Sequence, residues 1–256
     1  MSLRPPRRLA THEGATLVEH LGELRARVVV SLLAVAAAFT CTYAVHARLI
    51  AWLNSPLDPH RHPITLGVAE PFTTSVTVSL YAAVGLALPV VLWQSWSYLA
   101  PAFEERTQRT VAALVLFATV LLAAGIVFAY TVVLPAAVHF LTNFDSGLYD
   151  IQVRAKDYYS FVMLVLLGVG VVFELPIFIV SLVRLGVLTT AKLRRSRRIG
   201  IVAMTALAVA LPGVDPVTTL FELVPLLLLF EGSIWLSVVL ERRWTATRGR
   251  LATERG

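Results

Sequence analysis

The chain has 256 residues, of which 57 % are hydrophobic and 15 % charged, and it carries a formal net charge of +6. Soluble domains run at roughly 45–50 % apolar and about 25 % charged, so this chain lacks the charged surface a soluble protein of its length needs and is expected to be an integral membrane protein. Its Lys and Arg residues sit between apolar runs, which reads them as topology signals and lipid-headgroup contacts and sets nucleic-acid binding aside.

Residues 1–15 carry Arg4, Arg7 and Arg8 with Pro5 and Pro6 and are expected to form a flexible basic tail. Thr16 followed three residues later by Glu19 is a capping-box pattern and starts a helix. Leu17, Leu21, Leu24 and Val28 form one apolar stripe, and Glu19, Glu23 and Arg27 lie four apart on another face, with Arg25 turned away. This segment is either a solvated lead-in to the first span or a carboxylate held at the membrane surface to receive a cationic partner. Span one, about Arg27 to Val45, is too long for a signal-peptide core of about 7–15 residues and is taken as retained. Cys41 lies inside it, so no intrachain disulfide is possible and a buried, inert thiol is expected.

His46 to Phe72 is polar and punctuated by Pro56, Pro59, Pro63 and Pro71. Span two is about Thr73 to Leu99, with a kink expected at Pro89 and with Trp93, Trp96 and Tyr98 as interfacial anchors. After a polar turn, span three is about Thr110 to Leu134, and Pro135 to Asp157 is a second polar segment. Span four is about Tyr159 to Val183, and Arg184 to Arg198 is strongly basic. Span five, Ile199 to Leu211, would cover only roughly 20 Å against a hydrocarbon core of about 30 Å. Either flanking residues lengthen that helix or the bilayer thins around it. Pro212 to Pro216 turns the chain, span six is about Val217 to Leu240, and residues 241–256 form a basic tail. Counting Lys and Arg by side puts 18 of the 22 with the termini, so both termini are expected in the cytoplasm.

Several acids lie where a charge is expensive. Glu174 is deep in span four, where a charged carboxylate costs about 2.5–3.5 kcal/mol on insertion scales. Glu222 and Glu231 lie on opposite faces of span six, and Asp215 lies in the outer turn before it. Each is either a protonated acid making a packing hydrogen bond or part of a polar cavity facing a substrate or partner. His139 at the outer surface reads as interfacial. No phosphate loop, metal-ligand cluster or nucleophile elbow is present. The sequence therefore reads as a non-enzyme without cofactor or metal. An ion-coupled small-molecule carrier using Glu174 and Glu231 as proton sites is the competing class.

Five stretches, in order and at characteristic spacing, resemble the TatC family, the multispan subunit of the twin-arginine protein translocase. They are His20-Leu-Gly-Glu-Leu-Arg25, Trp93-Gln-Ser-Trp-Ser-Tyr-Leu-Ala-Pro101, Phe128-Ala-Tyr130 with Pro135, Tyr159-Ser-Phe-Val-Met163 leading to Phe173-Glu-Leu-Pro176, and Asp215 with Pro225 and Phe230-Glu231. The resemblance implies an all-α polytopic protein of six transmembrane helices in the cytoplasmic membrane. It would receive folded cargo whose signal peptides carry two adjacent arginines. It would work with single-span Tat subunits, as a homo-oligomer in the receptor complex, and would use the proton-motive force. Glu23 matches the family's signal-contacting glutamate, Arg25 its companion arginine, Glu174 its carboxylate in span four, and Asp215 its outer-turn aspartate. Glu231 is a further membrane-embedded polar candidate. The family's second signal-binding glutamate falls at Thr107 here, and the charge is expected to come instead from Glu104 and Glu105, since one helical turn spans only about 5.4 Å. Thr219 stands where the family usually has an amide. A scaffold that has lost transport is a third reading.

Overall fold

The computed structural model describes residues 17–59, 61–99, 107–149, 151–184, 187–213 and 215–253. The expected Thr16 cap and the basic tail over residues 1–15 lie outside the described residues. The described residues form α1 (Leu17–Ala44), α2 (His46–Leu53), α3 (Glu70–Leu99), α4 (Thr107–Phe128), a π-turn (Ala129–Val133), α5 (Leu134–Asn143), α6 (Ala155–Val172), α7 (Leu175–Arg184), α8 (Thr190–Arg195), α9 (Arg197–Ala210) and α10 (Pro216–Thr253). Among them the only β pairing is a parallel bridge between Ile64 and Arg154. Five helical stretches are long and apolar enough to cross a membrane: Leu21–Ala44, Glu70–Tyr98, Ala112–Asn143, Ala155–Arg184 and Pro216–Glu241. The protein is a multi-pass membrane protein. α9, at 14 residues, is not among those five stretches and spans roughly 21 Å at 1.5 Å per residue.

The α6–α7 stretch is the centre of the bundle: 56 % of its apolar window is buried, against 6 % for α1. Val162, Val165 and Val169 of α6 pack on Leu53, Val78, Val133 and Leu134. Tyr158 and Tyr159 donate their hydroxyls to Leu53 O and Asn54 Oδ1, both at 2.7 Å, and so satisfy polar groups where α2 ends. Tyr130 stacks on Trp52 with ring centroids 4.0 Å apart and donates to Trp52 O. α1 packs along α3 through Ala38, Ala83 and Ala87, small residues that let the two backbones approach. Thr42 Oγ1 donates to Ser79 O at 2.8 Å within that seam.

Several local features differ from the sequence expectations. Span three does not stop at Leu134 but continues through α5 to Asn143. The amide of Leu134 bonds to Ala129 O, five residues back. That wider turn comes just before Pro135, whose ring would otherwise clash with the carbonyl of Thr131. Span four is broken: α6 ends at Val172, Phe173 and Glu174 form a turn, and Pro176 sits in the first turn of α7, where it can donate no hydrogen bond back to Val172. Trp96 is 5 % exposed and packs with Val115, Ala118 and Ile177. It is a core residue and not an interfacial anchor, because it lies on the α3 face turned to α4 and α7. Cys41 is exposed, because α1 buries only its α3-facing side, so the thiol faces outward and not into a core.

Candidate functional site

The N-terminal end of α1 carries the charged segment singled out in the sequence. The i, i+4 spacing of Glu23 and Arg27 places them on one helical face. Glu23 Oε1 accepts two hydrogen bonds from Arg27, from Nε at 3.0 Å and from Nη2 at 2.5 Å. Arg27 also reaches across to the last turns of α3. Its Nη1 donates to Gln94 O at 3.4 Å and to Gln94 Oε1 at 3.3 Å, and its Nη2 donates to Ser97 O at 3.3 Å. Ser97 O is one of the last four carbonyls of α3, which have no intrahelical donor, and a cation is favoured at that negative end of the helix. The guanidinium thus ties the start of span one to the end of span two. Its side chain is 22 % exposed, whereas that of Glu23 is 41 % exposed. Among the described residues nothing donates to Glu23 Oε2, and Arg25 is exposed without a hydrogen-bond or ion-pair partner. Glu104 and Glu105 lie outside the described residues, in the connection between Leu99 and Thr107.

The other candidates occupy separate levels of the bundle. Glu174 sits in the α6–α7 break, and neither carboxylate oxygen has a hydrogen-bond partner among the described residues. Phe173, its neighbour in the turn, packs where Gly125 and Gly170 bring α4 and α6 together. Glu231 has an internal partner: Arg197 Nη2, at the first turn of α9, lies 3.1 Å from its Oε2. Asp215 is 6 % exposed and caps α10. Its Oδ1 accepts the amide of Thr218 at 2.8 Å and its Oδ2 the Thr218 hydroxyl at 2.5 Å. An aspartate before Pro216 with a threonine three residues on is the arrangement expected at a helix start. Thr219 turns its hydroxyl back to Asp215 O at 3.0 Å. Glu222, one turn further, is 1 % exposed, and neither of its oxygens has a hydrogen-bond partner among the described residues. Among the described residues no hydrogen bond or ion pair joins Glu23 to Glu174, Asp215 or Glu231, and no group of three or more His, Cys, Asp or Glu is placed to hold a metal ion.

The sequence pattern places Arg27 on the Glu23 face but does not reveal its reach to Gln94 and Ser97. The available signal is the four-residue spacing; the partners on α3 are 67 and 70 positions away and leave no local pattern.

Comparison with known proteins identifies the arrangement. A family model described as "Sec-independent protein translocase protein (TatC)" matches residues 19–225. The Sec-independent protein translocase protein TatC of Magnetococcus marinus is 30 % identical over 239 residues, covering 92 % of this chain and 88 % of the relative. That of Deinococcus radiodurans is 34 % identical over 234 residues, covering 88 % and 86 %. A crystal structure of the twin-arginine translocase receptor TatC superposes with a TM-score of 0.76 at 31 % identity, covering 86 % of this chain and 99 % of the other. The chain therefore belongs to the TatC family of Sec-independent protein translocase proteins.

Proposed function

We propose that this translocase subunit is the receptor for twin-arginine signal peptides of folded cargo, and that Glu23 meets their guanidinium groups at the cytoplasmic surface. The observation that carries the reading is the exposed Glu23 carboxylate, fixed by Arg27 against the last turns of α3. Carboxylates accept paired hydrogen bonds from arginine, which an ammonium cannot match in geometry. Glu104 and Glu105, which follow α3 in the sequence, supply the further carboxylates of the signal-peptide site, to which Arg25 also belongs. Family membership favours this function over a small-molecule carrier.

α9 counts as the fifth of six spans, with both termini in the cytoplasm. Its ion pair to Glu231 sets a polar level on α10 only 16 residues from Asp215, roughly 24 Å of helix. That is thinner than the usual hydrocarbon core of about 30 Å, and the bilayer thins there. The unpartnered carboxylate of Glu174 in the broken span receives a polar group from a single-span Tat subunit. Copies of the subunit assemble with those partners in the membrane, and the proton-motive force drives export.

Photocrosslinkers at positions 23 and 105 test the receptor reading. Both should capture a signal peptide carrying Arg-Arg and capture a Lys-Lys version much less. Neutral substitution of Glu104 and Glu105 together should lower peptide binding. Equal capture of the two peptides would remove the guanidinium-specific site. Unchanged binding after the double substitution would remove the second carboxylate.

A further inference from the structure

The segment that leads into α3 is built unlike a solvated loop. From Pro63 to Ala69 it carries no charge. Leu66 is 70 % exposed, Phe72 in the first turn of α3 is 64 % exposed, and Val68 is fully exposed. Several of its amides are nonetheless satisfied from inside the protein. Glu70 Oε2 accepts those of Leu66 and Gly67 at 3.1 and 3.2 Å. The Ile64 amide donates to Val153 O, and the Glu70 amide closes a turn on Gly67 O. A loop facing water can leave such donors to the solvent, whereas a loop pressed against lipid must bond them internally. The Glu70 carboxylate is itself paired with Arg154, so the charge beside the tip is neutralised in place.

The height of the tip follows from α3. Between Glu70 and Ser97 that helix carries no charged side chain. Those two residues stand about 40 Å apart along the axis at about 1.5 Å per residue, close to the thickness of about 40–45 Å of a bilayer with its headgroups. Arg27 reaches Ser97 O and marks one headgroup layer. Glu70, with the Leu66 and Gly67 amides bonded to it, falls in the other.

We propose that Leu66, Val68 and Phe72 form a membrane-interface anchor whose partner is the lipid surface itself, among the headgroups of the leaflet opposite Arg27. Apolar side chains at that depth gain by leaving water, and the bonded amides below them lose nothing. The anchor stands on the length of α3 and on the Glu70–Arg154 pair, and is independent of signal-peptide binding at Glu23.

The experiment is nitroxide labelling of the full chain in lipid nanodiscs, with the exposed Cys41 replaced by Ser. Labels go at Val68→Cys and, as a mid-bilayer reference, at Leu86→Cys, an exposed position halfway along α3. Collisions with dissolved oxygen and with a water-soluble nickel chelate read the depth. The label at position 68 should meet the chelate several-fold less often than a free label in buffer and more often than the label at position 86, while oxygen still reaches it. Leu66→Cys reads the same surface if Val68→Cys does not fold. Chelate access equal to that of the free label would put the tip in water and overturn the anchor. Shielding from oxygen and chelate alike would mean that protein, such as a second copy of the chain, covers the tip, and would overturn lipid as the partner. A depth equal to that at position 86 would overturn the interfacial level.

Discussion

Arg154 donates two hydrogen bonds to Glu70, from Nε at 3.0 Å and from Nη2 at 3.2 Å, across 84 positions of the chain. Glu70 also accepts the backbone amides of Leu66, Gly67 and Lys156. The hydrogen bond to Glu70 raises the pKa of the Arg154 guanidinium, which stays charged throughout. Beside it, the Ile64 amide donates to Val153 O and the Ala155 amide to Ile64 O, both at 2.8 Å. One carboxylate therefore closes the segment before α3 onto the segment before α6. Glu70→Ala strands the guanidinium and three amides, whereas Arg154→Ala leaves the carboxylate with its three amides. Thermal unfolding in detergent should show the larger loss for Glu70→Ala and a double variant less damaged than the two losses added. Additive losses would mean that the two residues act separately.

Asp215 is expected to act on the stability of α10 through its cap. Asp215→Ala removes the acceptor for the Thr218 amide and should cost about 0.5–2 kcal/mol, whereas Asp215→Asn keeps an oxygen there and should cost little. Denaturation of the purified variants measures both. If Asn loses as much stability as Ala, the carboxylate does more than cap.

The parts of this molecule that were legible in its sequence are those written in short-range pattern. Apolar runs located the five long stretches, and a run of thirteen residues between charged and turn segments anticipated the short α9, observed at 14. The Asp215–Pro216–Thr218 start of α10 was also local. What escaped was set by tertiary contact. Glu70 and Arg154 belong to different polar segments, and nothing in either announces the other. Trp96 shares its aromatic neighbourhood with the exposed Trp93, and only the position of α4 and α7 decides which of them is buried. The break at Phe173–Glu174 did have a local sign in Pro176, but a continuous apolar run around it read as a single span. At the candidate site, Glu23 was legible and the α3 anchors of its partner were not.

Glu222 is the opposite of Glu70. It is 1 % exposed, with neither oxygen partnered among the described residues, and a Cβ added at Gly213 would lie 3.9 Å from its Oε1. A buried polar group without a partner costs about 1–3 kcal/mol, so Glu222→Leu should raise stability by that order and Glu222→Gln by less. Unfolding titrations in detergent read this directly. A large loss with Leu would reveal a hydrogen-bonded role for the carboxyl.

At Gly200, α9 lies close against α10. A Cβ there would lie 2.0 Å from Phe230 Cζ and 2.5 Å from Cε1. Phe230 is 5 % exposed and packs with Met204, Ala208, Leu226 and Ile234, so the ring has no free direction in which to yield. Alanine is the better helix former by about 1 kcal/mol, but overpacking costs about 1–3 kcal/mol, and Gly200→Ala should be destabilising. Glu231 and Arg197 flank the contact on their respective helices, so pushing α9 outward would also stretch that ion pair. Phe230→Leu removes the ring and leaves space for the new methyl. The double variant Gly200→Ala/Phe230→Leu should therefore lose less stability than the two single losses combined, by thermal unfolding. Strict additivity would mean that α9 already moves away without strain, and the fixed spacing of the two helices would have to come from elsewhere.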